Sequence, residues 1–422
     1  MIRHIFKIIW NERKSNIWIL VEYTVVFCIL WFCCDYLSYV VRCNMEPLGF
    51  DITDTYEINM SKKVVDENEE IDEYALTQTF LARVKQYPGV ESISLSHSSV
   101  PYLGSTSLNS TTILPDSILK GVRVRDVSTG FFDVFRIKLE KGAVFNWEND
   151  AESKNVVISG NKRGVIEYKN KNDELVDMEP SNIKKLYDRY RNIEYQVVGV
   201  VNPTKDTHYY PYEAGVYYPL KHDAVNLERV QIVIRTSPSA GKDFATRFTK
   251  DMREQLNIGP YFLTSITSMQ DRKKGLLQRS GVTNNLNSIY AITTFLMINI
   301  FLGLIGTFWY RVQSRRSEIG TRISMGATKK NVQNMLFGEA LLLLFVASFI
   351  AVNICLNIAQ TEFLDVIGLP KANREQLGVG IEQDFLNYIF SFIILAVVSL
   401  VSIWYPARQA VSVPPAEALS EE

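Results

Sequence analysis

Residues 335–359 read MLFGEALLLLFVASFIAVNICLNIA, and inside that stretch 340–347 is the unbroken apolar run ALLLLFVA. An α-helix rises about 1.5 Å per residue, so about 20 residues cross a hydrocarbon core of about 30 Å. A helix in a soluble core seldom stays apolar on every face, because one side meets water. The stretch therefore predicts a membrane span. Three further blocks, at 17–41, 289–310 and 385–404, have the same character. The expected fold class is an α-helical membrane protein with four transmembrane helices and a mixed α/β extracytoplasmic domain inserted between helices 1 and 2. The first block is too long for a cleaved signal peptide, and bulky Trp31 and Phe32 stand where a peptidase needs small residues. Glu22 and Asp35 interrupt it. Both lie within a few turns of its ends, which predicts that they snorkel towards water.

Charge narrows the function classes. The chain has 45 Lys and Arg against 46 Asp and Glu, a net charge of −1. It lacks the basic surplus that nucleic acid demands. Cys28, Cys33, Cys34 and Cys355 fall in apolar blocks and Cys43 stands at a membrane edge, so no disulfide framework is expected. His4, His97, His208 and His222 are scattered without metal-ligand spacing. No G-x-x-x-x-G-K-[ST] phosphate loop occurs, and no nucleophile, base and orienter can be assembled. The chain is thus expected to be no enzyme and to hold no cofactor or metal of its own.

Lys and Arg in short loops mark the cytoplasmic side. Arg3, Lys7, Arg13 and Lys14 precede the first block, and Arg311, Arg315, Arg316, Arg322, Lys329 and Lys330 follow the second, with Glu318 the acid among them. The loop after the third block is acidic, with Glu362, Asp365, Glu375, Glu382 and Asp384 against Lys371 and Arg374. The alternation predicts both termini and the basic loop inside, and the large domain and acidic loop outside. The partition is a cytoplasmic amphipathic helix at 1–16, spans at 17–41, 288–310, 335–359 and 385–404, an extracytoplasmic domain at 42–287, a cytoplasmic loop at 311–334, an outer loop at 360–384 and a cytoplasmic tail at 405–422. The helix at 1–16 has Ile2, Ile5, Phe6, Ile9 and Trp10 at helical spacing, as a helix lying in the interface plane requires.

In the large domain, 71–86 predicts an amphipathic helix with Tyr74, Phe80, Leu81 and Val84 as apolar contacts, stopped by Pro88-Gly89. Strands are expected at 90–95, 120–127, 155–159, 195–201, 215–219 and 230–236. A second helix is expected at 243–256, with Phe244, Phe248 and Met252 on one side. The polar stretch 169–192 reads as a loop with one helical turn or more. The tyrosine-rich segment 208–218, HYYPYEAGVYY, suits either a binding surface or tyrosines packed on a sheet.

The basic loop carries most information: 314–332 is SRRSEIGTRISMGATKKNV. Ile319 and Ile323 share a helix face. Gly326 is placed to take the left-handed conformation that ends a helix, and Thr328 to cap the next one. Gly320 in a helix costs about 1 kcal/mol relative to alanine, which a close backbone approach by a partner would justify. This loop resembles the cytoplasmic loop of MacB/FtsX-type ABC transporter permeases in its order of Arg315-Arg316, Glu318-Ile319-Gly320, Arg322 to Met325, Gly326-Ala327 and Lys329-Lys330. The end, 405–419, YPARQAVSVPPAEAL, resembles the same family's closing motif at Pro406, Ala407, Arg408, Pro415, Glu417, Ala418 and Leu419. Weaker similarity runs through 127–145, 196–201 and 216–220.

The resemblance implies a permease subunit coupled to a separate ABC ATPase, which binds the ATP. It implies a homodimer in the lipid bilayer of a bacterial cytoplasmic (inner) membrane. The loop residues Arg315, Arg316, Glu318, Ile319, Gly320, Arg322, Met325, Gly326 and Ala327 would dock the ATPase, and its closure would move the outer domain. Export or extraction of a substrate from the envelope follows as the expected function, with an adaptor and outer-membrane channel, or an envelope enzyme, as further partners. An FtsX-like activator of an envelope hydrolase is the alternative. A receptor or scaffold without an ATPase has no need of a glycine-interrupted helix in this loop. Family members with a fused ATPase carry it ahead of the first span, where this sequence begins almost at the membrane. Gly303 and Gly306, three apart in the second span, are expected to allow close contact between helices of two copies.

Overall fold

The computed structural model describes residues 13–64, 71–104, 107–109, 111–112, 118–119, 122–148, 153–170, 172, 174–188, 191–210, 212–359 and 381–412. The surface helix expected at 1–16, the acidic loop at 360–384 and the closing motif beyond Arg408 lie wholly or largely outside them. The chain divides into a membrane unit, Met1–Cys43 with Thr283–Glu422, and an inserted domain, Asn44–Val282.

Helix α1 (Arg13–Met45) opens the membrane unit. The inserted domain begins with β1 (Thr55–Lys62), α2 (Glu73–Lys85) and β2 (Val90–His97). Asp72 starts α2 by accepting from the Ala75 N–H at 2.9 Å, which satisfies one of the first-turn donors. Phe80, Leu81 and Val84 of α2 are buried, while Tyr74 is half-buried and stacks on His222 at 4.3 Å between ring centroids. Then come β3 (Ser107–Asn109), β4 (Thr111–Thr112), β5 (Ile118–Leu119), β6 (Val122–Val127), α3 (Gly130–Val134) and β7 (Leu139–Gly142). They are followed by β8 (Asn155–Ser159), β9 (Ile166–Lys169), β10 (Leu175–Met178), β11 (Lys185–Asp188), β12 (Ile193–Val201) and β13 (Gly215–Pro219). The domain closes with β14 (Gln231–Thr236), α4 (Phe244–Met252), β15 (Tyr261–Ser268) and α5 (Met269–Arg279).

The main sheet runs β15-β1-β14-β2-β6-β13-β8-β12-β11-β4, with β3 added on β6 and β7 on β12. Its first four strands form two β-α-β halves interleaved in antiparallel order, with the rest of the domain inserted between β2 and β14. One face packs Phe80, Val84, Phe244, Phe248 and Met252 from α2 and α4 against Ile58, Ile93, Ile232 and Ile234. A second core, around Val124, Ile158, Leu186, Val216 and Tyr218, fills the far half of the sheet. A small sheet, β10-β9-β5, completes the domain.

One expectation needs correction here. The stretch 169–192 is not a loop: it contributes β10 and β11, joined by a 3-10 turn at Pro180–Asn182. These short strands hide from sequence because residue type does not follow burial in them: Leu175 of β10 is 53% exposed, and Asp188 of β11 is buried. In the tyrosine-rich segment, Tyr217 and Tyr218 are buried on β13, as the sheet-packing reading has it; Tyr212 is buried ahead of the strand, and Tyr210 is exposed. Strands β1, β3, β4, β5, β9 and β15 and helices α3 and α5 were not anticipated.

The membrane unit resumes with α6 (Val282–Ser314), α7 (Arg316–Ser324), α8 (Lys329–Ala359) and α9 (Ile381–Ala410). Among the described residues, four helices are long and apolar enough to span: Asn16–Met45, Val282–Ser314, Lys329–Ala359 and Phe385–Gln409. They make this an integral membrane protein. On α1, Ile19, Tyr23, Phe27 and Leu30 fall on one stripe and join a core with Leu304, Leu343, Ala347 and Leu395.

Asp35 does not snorkel. It is 1% exposed and accepts a 2.8 Å hydrogen bond from Asn387 Nδ2. Within hydrocarbon a polar partner on a neighbouring helix replaces the water that a snorkelling side chain would reach. Glu22 is half-buried against α6, where a Cβ on Gly303 would come 2.7 Å from its Oε1. Gly303 thus admits a side chain of the same copy, whereas Gly306 faces open space.

Candidate functional site

The loop between the second and third spans is a short helix fastened at both ends and along one side. Helix α6 stops at Ser314, and Arg315 leaves helical geometry at φ −111°. Helix α7 ends in a double hydrogen bond: the Gly326 N–H donates to the Ile323 carbonyl and the Ala327 N–H to that of Arg322, each at 3.0 Å. That closure needs a left-handed residue, and Gly326 stands at φ +97°. Thr328 Oγ1 then accepts from the Asn331 N–H at 3.2 Å and starts α8.

The inner side of α7 is apolar. Ile319 and Gly320 are buried, with Ile319 in the core of the bundle and Ile323 packed against it. The outer side presents Ser317, Thr321, Ser324 and Met325, and Met325 is 75% exposed. Lys329 and Lys330 continue this surface.

Charge ties the helix to the bundle. Arg315 Nε donates to Glu318 Oε2 at 2.8 Å, and Arg322 Nη2 donates to Glu318 Oε1 at 2.8 Å. Arg315 also reaches into the third span, where its Nη1 lies 2.9 Å from both carboxylate oxygens of Glu339. Glu339 is 1% exposed, and Arg311 Nη2 sits 3.6 Å from it. The Arg315 hydrogen bond, helped by Arg322 and opposed by partial burial, holds Glu318 below the usual carboxylate range. Burial works against the Arg315 charge, but Glu318 and Glu339 more than offset it and push the guanidinium higher.

The structure therefore brings together Arg315, Glu318 and Arg322 as a clamp, with Ile319 and Gly320 turned inward. Met325 and Gly326 lie at the exposed end, and Ala327 and Arg316 are half-buried. Sequence reasoning missed Glu339 and the role of Arg311. The signal was present as a lone carboxylate in the block 335–359, where an ionisable group is costly unless paired.

Comparison with known proteins gives one family match, to the FtsX-like permease C-terminal region, across residues 290–415. The matched region takes in about three quarters of α6 and the whole of α7, α8 and α9. The chain is also similar to the periplasmic region of MacB from Actinobacillus actinomycetemcomitans, at 13% identity and TM-score 0.32, covering 52% of this chain and 92% of that one. The extracellular domain of the noncanonic ABC-type transporter YknZ from Gram-positive bacteria matches at 12% identity and TM-score 0.29, over 50% of this chain and 100% of the other. A domain of a putative permease from Porphyromonas gingivalis matches at 13% identity and TM-score 0.26, over 52% and 94%. No curated protein matched the chain.

Proposed function

We propose that this FtsX-like chain is the permease subunit of an ABC transporter of the MacB/FtsX type, and that it transmits work from a separate ATPase to the inserted domain. The observation that carries the reading is the Arg315 bridge. A force on α7 is passed through Glu318 and Arg315 to Glu339, and so to α8, through short charged bonds rather than a slack loop. Salt-bridged rigid elements are the means by which such a push travels. The exposed side of α7, with Met325, Lys329 and Lys330, is the surface offered to the ATPase. Arg316, Gly326 and Ala327 belong to the same docking site on this reading.

The proposed setting is a bacterial cytoplasmic membrane, with both termini and α7 inside and the inserted domain outside. Two copies of the permease would serve two ATPase copies, in the commonest closed symmetry. ATP would bind the partner and this chain would need no cofactor. The work would serve export, or extraction of a substrate from the envelope. ATP hydrolysis by the purified partner, with and without the permease in nanodiscs, tests the reading. Stimulation that disappears in Glu318→Lys supports it, and hydrolysis indifferent to the permease refutes it.

A further inference from the structure

The main sheet of the inserted domain ends on one side in β15, which pairs with β1 and with no other strand among the described residues. It is eight residues long and reads YFLTSITS, without a charge or a proline. Natural edge strands are blunted by shortness, lysine, proline or a covering element, because their free N–H and C=O groups invite another chain to pair. A bulge at Thr264 shifts the register of β15 against β1, but 265–268 run on regularly beside 56–59. The helix that follows does not close this edge. Side chains alternate across a strand, so Glu57 lies on the face opposite Ile58. Helix α5 crosses the Glu57 face, where Arg272 pairs with Glu57 of β1 and Leu276 approaches Gly104.

On the other face α4 lies beside the same edge. Ala245, Thr246, Thr249, Lys250 and Arg253 of the helix and its end, with Ile266 of the strand, line a groove of about 640 Å³. The spacing of the five helix residues puts them on one stripe, while Phe244, Phe248 and Met252 take another and fill the core. Ile266 packs against that core and gives the groove an apolar floor. Lys250 and Arg253 are exposed, and neither is in an ion pair among the described residues. Asp251, between them in sequence, accepts from the Tyr87 hydroxyl at 2.9 Å and does not line the groove. An open strand beside a helix, with a groove between, suits an extended peptide: its backbone continues the sheet and alternate side chains enter the groove. Cations that lack a carboxylate of their own favour acidic side chains there.

We infer that the edge of β15 and the α4 groove form a docking site for an extended, acidic peptide segment of another polypeptide, which adds as a strand beside 265–268 with its carboxylates at Lys250 and Arg253. The site uses no residue of α7, so its failure would leave the coupling reading untouched. The full chain in nanodiscs is panned against a displayed library of random short peptides, with empty nanodiscs as the counter-selection. Enriched peptides are synthesised, and their binding to the full chain is followed by fluorescence anisotropy. Acidic residues alternating with apolar ones are expected among them. Lys250→Glu with Arg253→Glu, two changes on an exposed face that leave the core intact, should weaken binding about tenfold. N-methylation of alternate peptide residues should abolish binding in one phase and not in the other, because only every second N–H faces the neighbouring strand. No enrichment over empty nanodiscs, binding indifferent to the charge reversal, or tolerance of N-methylation in both phases overturns the inference. Cross-linking of two copies through Thr267→Cys, in a background free of the native cysteines, would give the edge to a second copy and overturn it equally.

Discussion

Glu339→Gln isolates the bond on which coupling is proposed to turn. The substitution keeps the shape of the side chain and removes its charge. Arg315 Nη1 now has two carboxylate oxygens at 2.9 Å, with Arg311 3.6 Å from one of them. Glutamine offers one acceptor, and its amide nitrogen would meet a donor. Two arginines, each only 6–8% exposed at the side chain, then share no carboxylate within the third span. Removing one partner of a buried pair costs about 3–5 kcal/mol. Glu318 still holds Arg315, so the expected loss falls below that range, at about 2–3 kcal/mol. The outer side of α7 is unaltered, so the ATPase should still bind. The assay pairs thermal unfolding of the permease in nanodiscs with binding and hydrolysis by the ATPase. The expected result is a lower midpoint, retained binding and lost stimulation. A variant that unfolds at the parent midpoint and stimulates as the parent does would refute both the bond's strength and its part in transmission.

Gly326→Val puts a β-branched residue at φ +97°, a strain of about 1–3 kcal/mol, and should lower ATPase stimulation while membrane insertion persists; normal stimulation would leave the loop a mere anchor. Glu318→Lys places a third cation between Arg315 and Arg322 and should abolish stimulation more completely, as read by the same hydrolysis assay. In the inserted domain, burial first, then Lys273 and Lys205, push His208 down to about 4, so it stays neutral beside the Tyr102 hydroxyl, 2.8 Å away. A histidine with a depressed folded pKa contributes stability that is whole above its ordinary value of 6.5 and declines as pH falls towards 4. Thermal unfolding of the protein between those limits should show a decline that His208→Gln flattens. Impermeant cysteine labelling in sealed cells should reach positions 171 and 371 and spare position 329, and the reverse would sink the orientation; Lys171 and Lys371 lie outside the described residues.

Residue type alone determined that this protein lives in a membrane. Each of the four apolar blocks is long enough to cross hydrocarbon, and that is a matter of length and transfer energy, which need no partner. The turn at Gly326 and the cap at Thr328 were equally legible, because helix ends are settled by a few adjacent residues. Helices α2 and α4 were readable from apolar spacing for the same local reason. The short strands β10 and β11 were not, since 175–178 and 185–188 pair through backbone groups and their residue types do not follow their burial. Nor could Asp35 be read, because its neighbour Asn387 is 352 residues away and only the packed bundle brings them together. Glu339 is the clearest case. In sequence it is a stray acid in an apolar run, and in the folded bundle it is the counter-charge to Arg315 and Arg311, because desolvation leaves a buried carboxylate stable only where cations converge on it.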